Sequence, residues 1–179
     1  MTLKLSAAAV GLASSVAAGG VAAEPVVFAH PTEVTRVYAN PNAPIAGATI
    51  VPAGATLIFL SGALPSVADP AAAPGTIAAY GDTETQTIST LNGIKSRLEA
   101  LGLGLGDVVS MTVYLVGAPE NEGRMDFAGM MKGYRAFFGT EDQPHRPSRS
   151  TVQVSALAGA GFLVEIEVTA SRPLSAVAP

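Results

Sequence analysis

The sequence predicts an α+β fold in the order β-β-α-β-α-β-β, with two helices packed on one face of a mixed sheet. Three observations carry that expectation. Two segments, around 83–101 and 125–138, repeat apolar residues at three- and four-residue steps, the period of a helix with one buried face. Five shorter runs are rich in β-branched and aromatic residues, as strands are. The length of 179 residues, with 49% hydrophobic and 13% charged, fits one domain with a sizeable core and not a disordered chain.

The chain opens with one lysine, Lys4, then an uncharged run of small residues, then Val21-Ala22-Ala23 ahead of Glu24. This reads as a secretory signal over 1–23 and predicts a periplasmic or secreted protein, since the run is too weakly apolar to stay as an anchor. No Arg-Arg pair and no cysteine accompany it, so neither the twin-arginine route nor a lipid anchor is expected, and the mature protein should not hold to a membrane. Residues 24–45 and 63–81 are rich in Pro, Ala and Gly and read as an N-terminal arm and a long loop; 174–179 form a tail.

The strand signals begin with "TRVYA" at 35–39 and "TLIFLSG" at 56–62. The first helix, within "DTETQTISTLNGIKSRLEALG", lines up Ile88, Leu91, Ile94, Leu98 and Leu101; Thr83 with Gln86 resembles a capping box, and Gly102 a left-handed stop. "VVSMTVYLV" at 108–116 is a strand apolar on both faces. The second helix lines up Phe127, Met130, Met131, Tyr134, Phe137 and Phe138 and closes at Gly139; this stripe reads as core packing. "RSTVQVSA" and "FLVEIEVTASR" then read as a hairpin around "LAGAG". Both helices fall on one face under right-handed crossovers, and a partner subunit is the expected cover for the other.

The net charge of −4, with cations scattered among the acids, argues against a phosphate-tracking surface and so against nucleic acid as partner. Cleavage after Ala23 would remove Lys4 and no acid, making the mature chain slightly more acidic. The absence of cysteine excludes disulfides and thiol chemistry. "GLGLG" at 102–106 follows a helix and precedes a strand, the reverse of a dinucleotide site, and His30 and His145 offer no zinc pattern. No cofactor and no metal are expected.

Parity within the last two strands groups Arg149, Thr151 and Gln153 on one side, and Glu165 and Glu167 on one side of theirs. A hairpin centred near Gly159 would set Glu165 across from Gln153 and put Arg149 with both glutamates on the face without helices; a one-residue slip would reverse this. Arg149 is suited to hold a planar carboxylate through two parallel hydrogen bonds, and a glutamate beside it can act on water as a general base. A plain cross-strand ion pair at a subunit interface is the competing reading.

The stretches "GIKSRLEALGLGLGDVVSMTVYLV", "DFAGMMKGYRAFF", "RPSRSTVQVSAL" and "VEIEVTASR", in this order, resemble the Rid family, also called YjgF, over about residues 46–173. The resemblance implies a chorismate-mutase-like fold and a homotrimer with sites at the subunit interfaces. It also implies hydrolysis of imines and enamines such as 2-iminopropanoate and 2-iminobutanoate to keto acids and ammonia. The family's essential arginine falls on Arg149, within Pro147-Ser148-Arg149-Ser150, and its water-positioning acid on Glu165, with Glu167 structural. Its Ser-Gly pair falls on Ser61 and Gly62, whose backbone would line the pocket, and Thr151 stands where the family often has cysteine and uses the carbonyl. Three departures bear on the substrate. A pocket-closing tyrosine falls near Ala48, a common asparagine falls near Met131, and the 63–81 loop is longer than usual and in a position to supply substitute contacts. These departures keep open an alternative, a noncatalytic exported trimer that binds small carboxylates or acts as a holdase.

Overall fold

The computed structural model describes residues 31–172. The signal segment, the arm up to and including His30, and the 174–179 tail lie outside the described residues. Among the described residues, nine strands and α-helices follow one another, with short 3-10 turns at Leu105–Asp107 and Pro119–Asn121: β1 (Thr35–Val37), β2 (Ala48–Ile50), β3 (Thr56–Ala63), α1 (Ile77–Tyr80), α2 (Thr83–Ala100), β4 (Val108–Val116), α3 (Phe127–Arg135), β5 (Ser148–Val154) and β6 (Val164–Arg172). The two long helices and the mixed sheet agree with the predicted α+β order, and two short elements, β2 and α1, are additions.

The sheet order is β3-β6-β4-β5, with β4 and β5 parallel and the other pairs antiparallel. A parallel neighbour needs a crossover, and α3 supplies it between β4 and β5. This overturns the predicted hairpin. Strands β5 and β6 lie on opposite edges of β4, and residues 155–163 pass from one side to the other. Loop closure grows only slowly with length, so a segment that resembled a turn can span a strand. The "TRVYA" strand also leaves the main sheet and pairs with β2 in a two-stranded sheet of its own.

Helices α2 and α3 cover one sheet face, and the core lies between them. Leu91, Ile94 and Leu98 of α2 and Met130 and Tyr134 of α3 pack on Met111, Val113 and Leu115 of β4 and on Val164, Ile166 and Val168 of β6. Full burial of each aliphatic side chain contributes about 1.5–3 kcal/mol. Both ends of α2 depart from the predicted stripe: in its first half Ile88 is half-buried while Thr83, Gln86, Thr87 and Thr90 are buried, and Leu101, just past its last residue, is exposed. Gln86 explains part of this. Its Nε2 donates to the Gly81 and Gly161 carbonyls at 2.9 Å each, and its Oε1 accepts from the Leu163 amide at 2.8 Å. The helix is therefore capped one residue earlier than predicted, by Asp82, whose carboxylate accepts from the Thr85 amide at 2.8 Å.

The predicted stop holds. Gly102 takes a φ of +67°, and the Leu103 amide reaches back to the Leu98 carbonyl. Where α2 and α3 cross, a Cβ on Gly133 would lie 2.8 Å from Thr87 Cβ, so glycine sets the close approach that brings α3 onto the sheet. Helix α3 is shorter than predicted, and its first residue, Phe127, is 45% exposed. The 63–81 loop packs on α2 and on the lead into β6. The Ser66 amide donates to Ser89 Oγ, and the Tyr80 ring meets Phe162 edge-on at 4.7 Å. None of its hydrogen bonds among the described residues reaches Arg149 or Glu165.

Candidate functional site

Strand register decides which face each candidate residue occupies. Arg149, Thr151 and Gln153 stand opposite Met111, Val113 and Leu115, the core residues of β4, so all three lie on the helix-covered face. Glu165 stands opposite Tyr114 and Glu167 opposite Thr112, on the face without helices. The expectation that Arg149 shares a face with the glutamates is therefore corrected. With β4 between β5 and β6, the register of each strand against β4 fixes its parity. Gln153 does not face Glu165; its amide donates to the Gly123 carbonyl at 2.8 Å and accepts from the Met125 amide at 2.9 Å.

Arg149 sits on the edge strand, where its chain runs over apolar surface toward α3. Its guanidinium stacks 4.3 Å from the Tyr134 ring centroid and 5.9 Å from that of Phe127, and Nη2 donates to Met131 Sδ at 3.0 Å. Nε and Nη1 are buried without a hydrogen-bond partner among the described residues, as are Thr151 Oγ1 and the Tyr134 hydroxyl. Each such group carries a desolvation cost of about 1–3 kcal/mol until an acceptor or donor reaches it. Burial lowers the Arg149 pKa, opposed by Tyr134, yet a guanidinium stays cationic at any working pH. Burial pushes the Tyr134 phenol up to about 12, with Arg149 pulling it the other way, so the ring stays neutral beneath the cation.

On the other face, Glu167 accepts a hydrogen bond from the Tyr114 hydroxyl at 2.9 Å, and this bond raises the tyrosine's pKa. Among the described residues, the Glu165 carboxylate accepts none. It lies over the backbone of Gly62, where a Cβ would collide with its Oε1 and fall 2.9 Å from its Cδ. Ser61 and Gly62 occupy an irregularity between the Leu60 and Ala63 pairings, two residues set against Glu167, and the Ser61 carbonyl accepts from Arg97 at 3.4 Å. Glycine at 62 thus makes room for Glu165. Ser61 and Gly62 keep company with the acid, while Thr151 keeps company with the arginine.

The open face also carries apolar groups. Phe59 is 76% exposed, Leu57 44% and Val152 43%. A depression of about 300 Å³ beside Phe59 is lined by Ser110, Thr112, Glu167 and Thr169 among others. The small β1–β2 sheet docks against the start of β5: the Ala46 amide donates to the Pro147 carbonyl, and Arg146 stacks on Tyr38 at 4.3 Å. Ala48 stands exposed on that sheet. Sequence reasoning missed Tyr134 and Phe127 as the seat of Arg149, because their helical period signals core alone. It also missed the Tyr114–Glu167 pair, which only the β4–β6 register reveals.

A family model described as endoribonuclease L-PSP matches residues 42–172. The chain belongs to that family. Solved structures of a Rid-family protein from Yersinia pestis and of Escherichia coli YjgF share its fold, and the chorismate-mutase-like α+β architecture is the one seen here. Over 141 residues this L-PSP-family chain is 32% identical to a 2-iminobutanoate/2-iminopropanoate deaminase of Salmonella typhimurium, covering 78% of this chain and 99% of that one. A RutC family protein of Pyrococcus horikoshii is 39% identical over 92 residues, 51% of this chain and 64% of its own length. Among solved structures, Escherichia coli TdcF with bound serine aligns at a TM-score of 0.51 and 29% identity, covering 77% of this chain and 99% of TdcF.

Proposed function

We propose that this protein hydrolyses 2-imino acids and their enamine tautomers, such as 2-iminopropanoate and 2-iminobutanoate, to 2-keto acids and ammonia. Arg149 grips the substrate carboxylate, and Glu165 takes a proton from the water that adds to the C=N carbon. Glu165 passes that proton to the imine nitrogen, giving a carbinolamine. As the adduct collapses and the C–N bond breaks, the hydroxyl proton moves to the same nitrogen, so ammonia leaves with both protons of the water and the carbonyl forms. The net reaction consumes one water per imine and needs neither oxidant nor cofactor. The observation that carries this reading is the Arg149 seat, a cation with two partnerless donors at a sheet edge, in a chain matching nearly the full length of a 2-imino acid deaminase.

One chain holds Arg149 and Glu165 on opposite faces of its sheet, so in this reading a site takes Arg149 from one copy and Glu165 from a neighbour. A homotrimer closing over Leu57, Phe59 and Val152 would cover those apolar groups and bring the two residues together. An RNA substrate, which the family's descriptive name evokes, fits poorly with a net charge of −4 and scattered cations.

The test is the rate of keto acid formation from 2-iminopropanoate generated in place, over the uncatalysed background. Arg149→Ala should lower kcat/KM by about 100-fold or more, the worth of a bidentate charge-assisted contact, with the fold retained. Unchanged kinetics in the variant would sink the assignment. A carboxylate bound at Arg149 without turnover would point instead to a noncatalytic binding trimer. The 1–23 segment adds the proposal of action outside the cytosol. It predicts a periplasmic or secreted protein beginning at Glu24, and a cytosolic protein retaining Met1 would contradict it.

A further inference from the structure

Resting on the imine-hydrolysis reading, we propose that Met131 and Phe127 select the substrate's side chain, so that the site prefers 2-imino acids with aliphatic or aromatic side chains over 2-iminopropanoate. A carboxylate held by Arg149 places its α-carbon, and whatever that carbon carries, beside the groups that flank the guanidinium. Those flanking groups are a thioether 3.0 Å from Nη2 and two aromatic rings, Tyr134 and Phe127. No acidic or amide side chain hydrogen-bonds to the Arg149 guanidinium among the described residues. A polar or charged substrate side chain would be stranded against this wall, whereas an apolar one would be buried by it.

The thioether has a second use. Sulfur is a weak acceptor, so a carboxylate oxygen displaces it from Nη2 with little loss. The freed methionine, unbranched and polarisable, can then shape itself to the incoming side chain. Phe127 completes the wall from the first turn of α3. At 45% exposure its ring is not committed to the core, although it lies beside a buried cation.

The experiment compares imines made in place by an amino-acid oxidase with catalase, from alanine and from leucine. The wild-type protein should show a kcat/KM for the leucine-derived imine about 10-fold above that for the alanine-derived one. Met131→Asn should erase about 10-fold of that ratio through KM, and Met131→Leu should keep it. Phe127→Ala, at an exposed position, should also lower the ratio and serves if Met131→Asn does not fold. A ratio that falls in either folded variant supports the proposal. A wild-type ratio near one, or a ratio unmoved by both substitutions while Arg149→Ala is dead, overturns it. Full hydrolysis of both imines by Arg149→Ala would instead overturn the imine reading beneath it.

Discussion

The two faces of the main sheet each hold residues suited to the other. The face covered by α2 and α3 contains a cation, Arg149, two of whose buried nitrogens have no partner among the described residues. The face without helices exposes Leu57, Phe59 and Val152 to solvent. A cation in a core-side seat and aromatic surface in water are both unfavourable in an isolated chain. The pairing makes sense if each face is finished by something from outside, a carboxylate at the edge of the covered face and a second copy on the open one.

The largest expected effect comes from the open face. Phe59→Asp should weaken self-association by at least about 100-fold, seen in sedimentation as a shift to monomer at micromolar concentration with secondary structure retained. An assembly of unchanged size would break the account of that face. Next comes the covered face, where Gln86 serves as a polar hub. Gln86→Ala leaves the Leu163 amide and the Gly81 and Gly161 carbonyls without their partner and should cost about 3 kcal/mol in denaturant unfolding. A loss under about 1 kcal/mol would mean that water replaces those bonds. The smallest effect lies where the faces meet the chemistry. Gly62→Ala should cost about 1–3 kcal/mol of stability by displacing the Glu165 carboxylate, and should lower kcat while leaving KM, since the carboxylate grip is elsewhere. A variant with normal kcat would separate Glu165 from catalysis.

Much of this was legible in the sequence, and the part that was not has a physical cause. Leu91, Ile94 and Leu98, together with Met130 and Tyr134, announce two helices by period alone, and they are the residues that pack on the sheet. Parity correctly grouped Arg149 with Thr151 and Gln153, and Glu165 with Glu167, because alternation is a property of a single strand. It could not say which strands are neighbours. "LAGAG" has the composition of a turn, yet the chain there crosses to the far edge of β4, and that exchange of neighbours moved Arg149 to the other face from Glu165. The buried polar residues of α2 were missed for a related reason. Gln86 is buried because carbonyls and an amide from loops distant in sequence converge on it, and no local pattern encodes that convergence. Met131 was legible as a departure in type, while its contact with Arg149 required the crossing of α2 and α3 at Gly133.

The central claim is that one site takes Arg149 and Glu165 from different copies of the chain. Arg149→Ala and Glu165→Gln, each inactive alone, should therefore complement one another when unfolded together in equal amounts and refolded. Random trimers would then regain one intact site in three among mixed assemblies, about a quarter of wild-type turnover overall. Turnover of the mixture no greater than that of the separate variants, with mixed trimers confirmed by mass, would contradict the shared site.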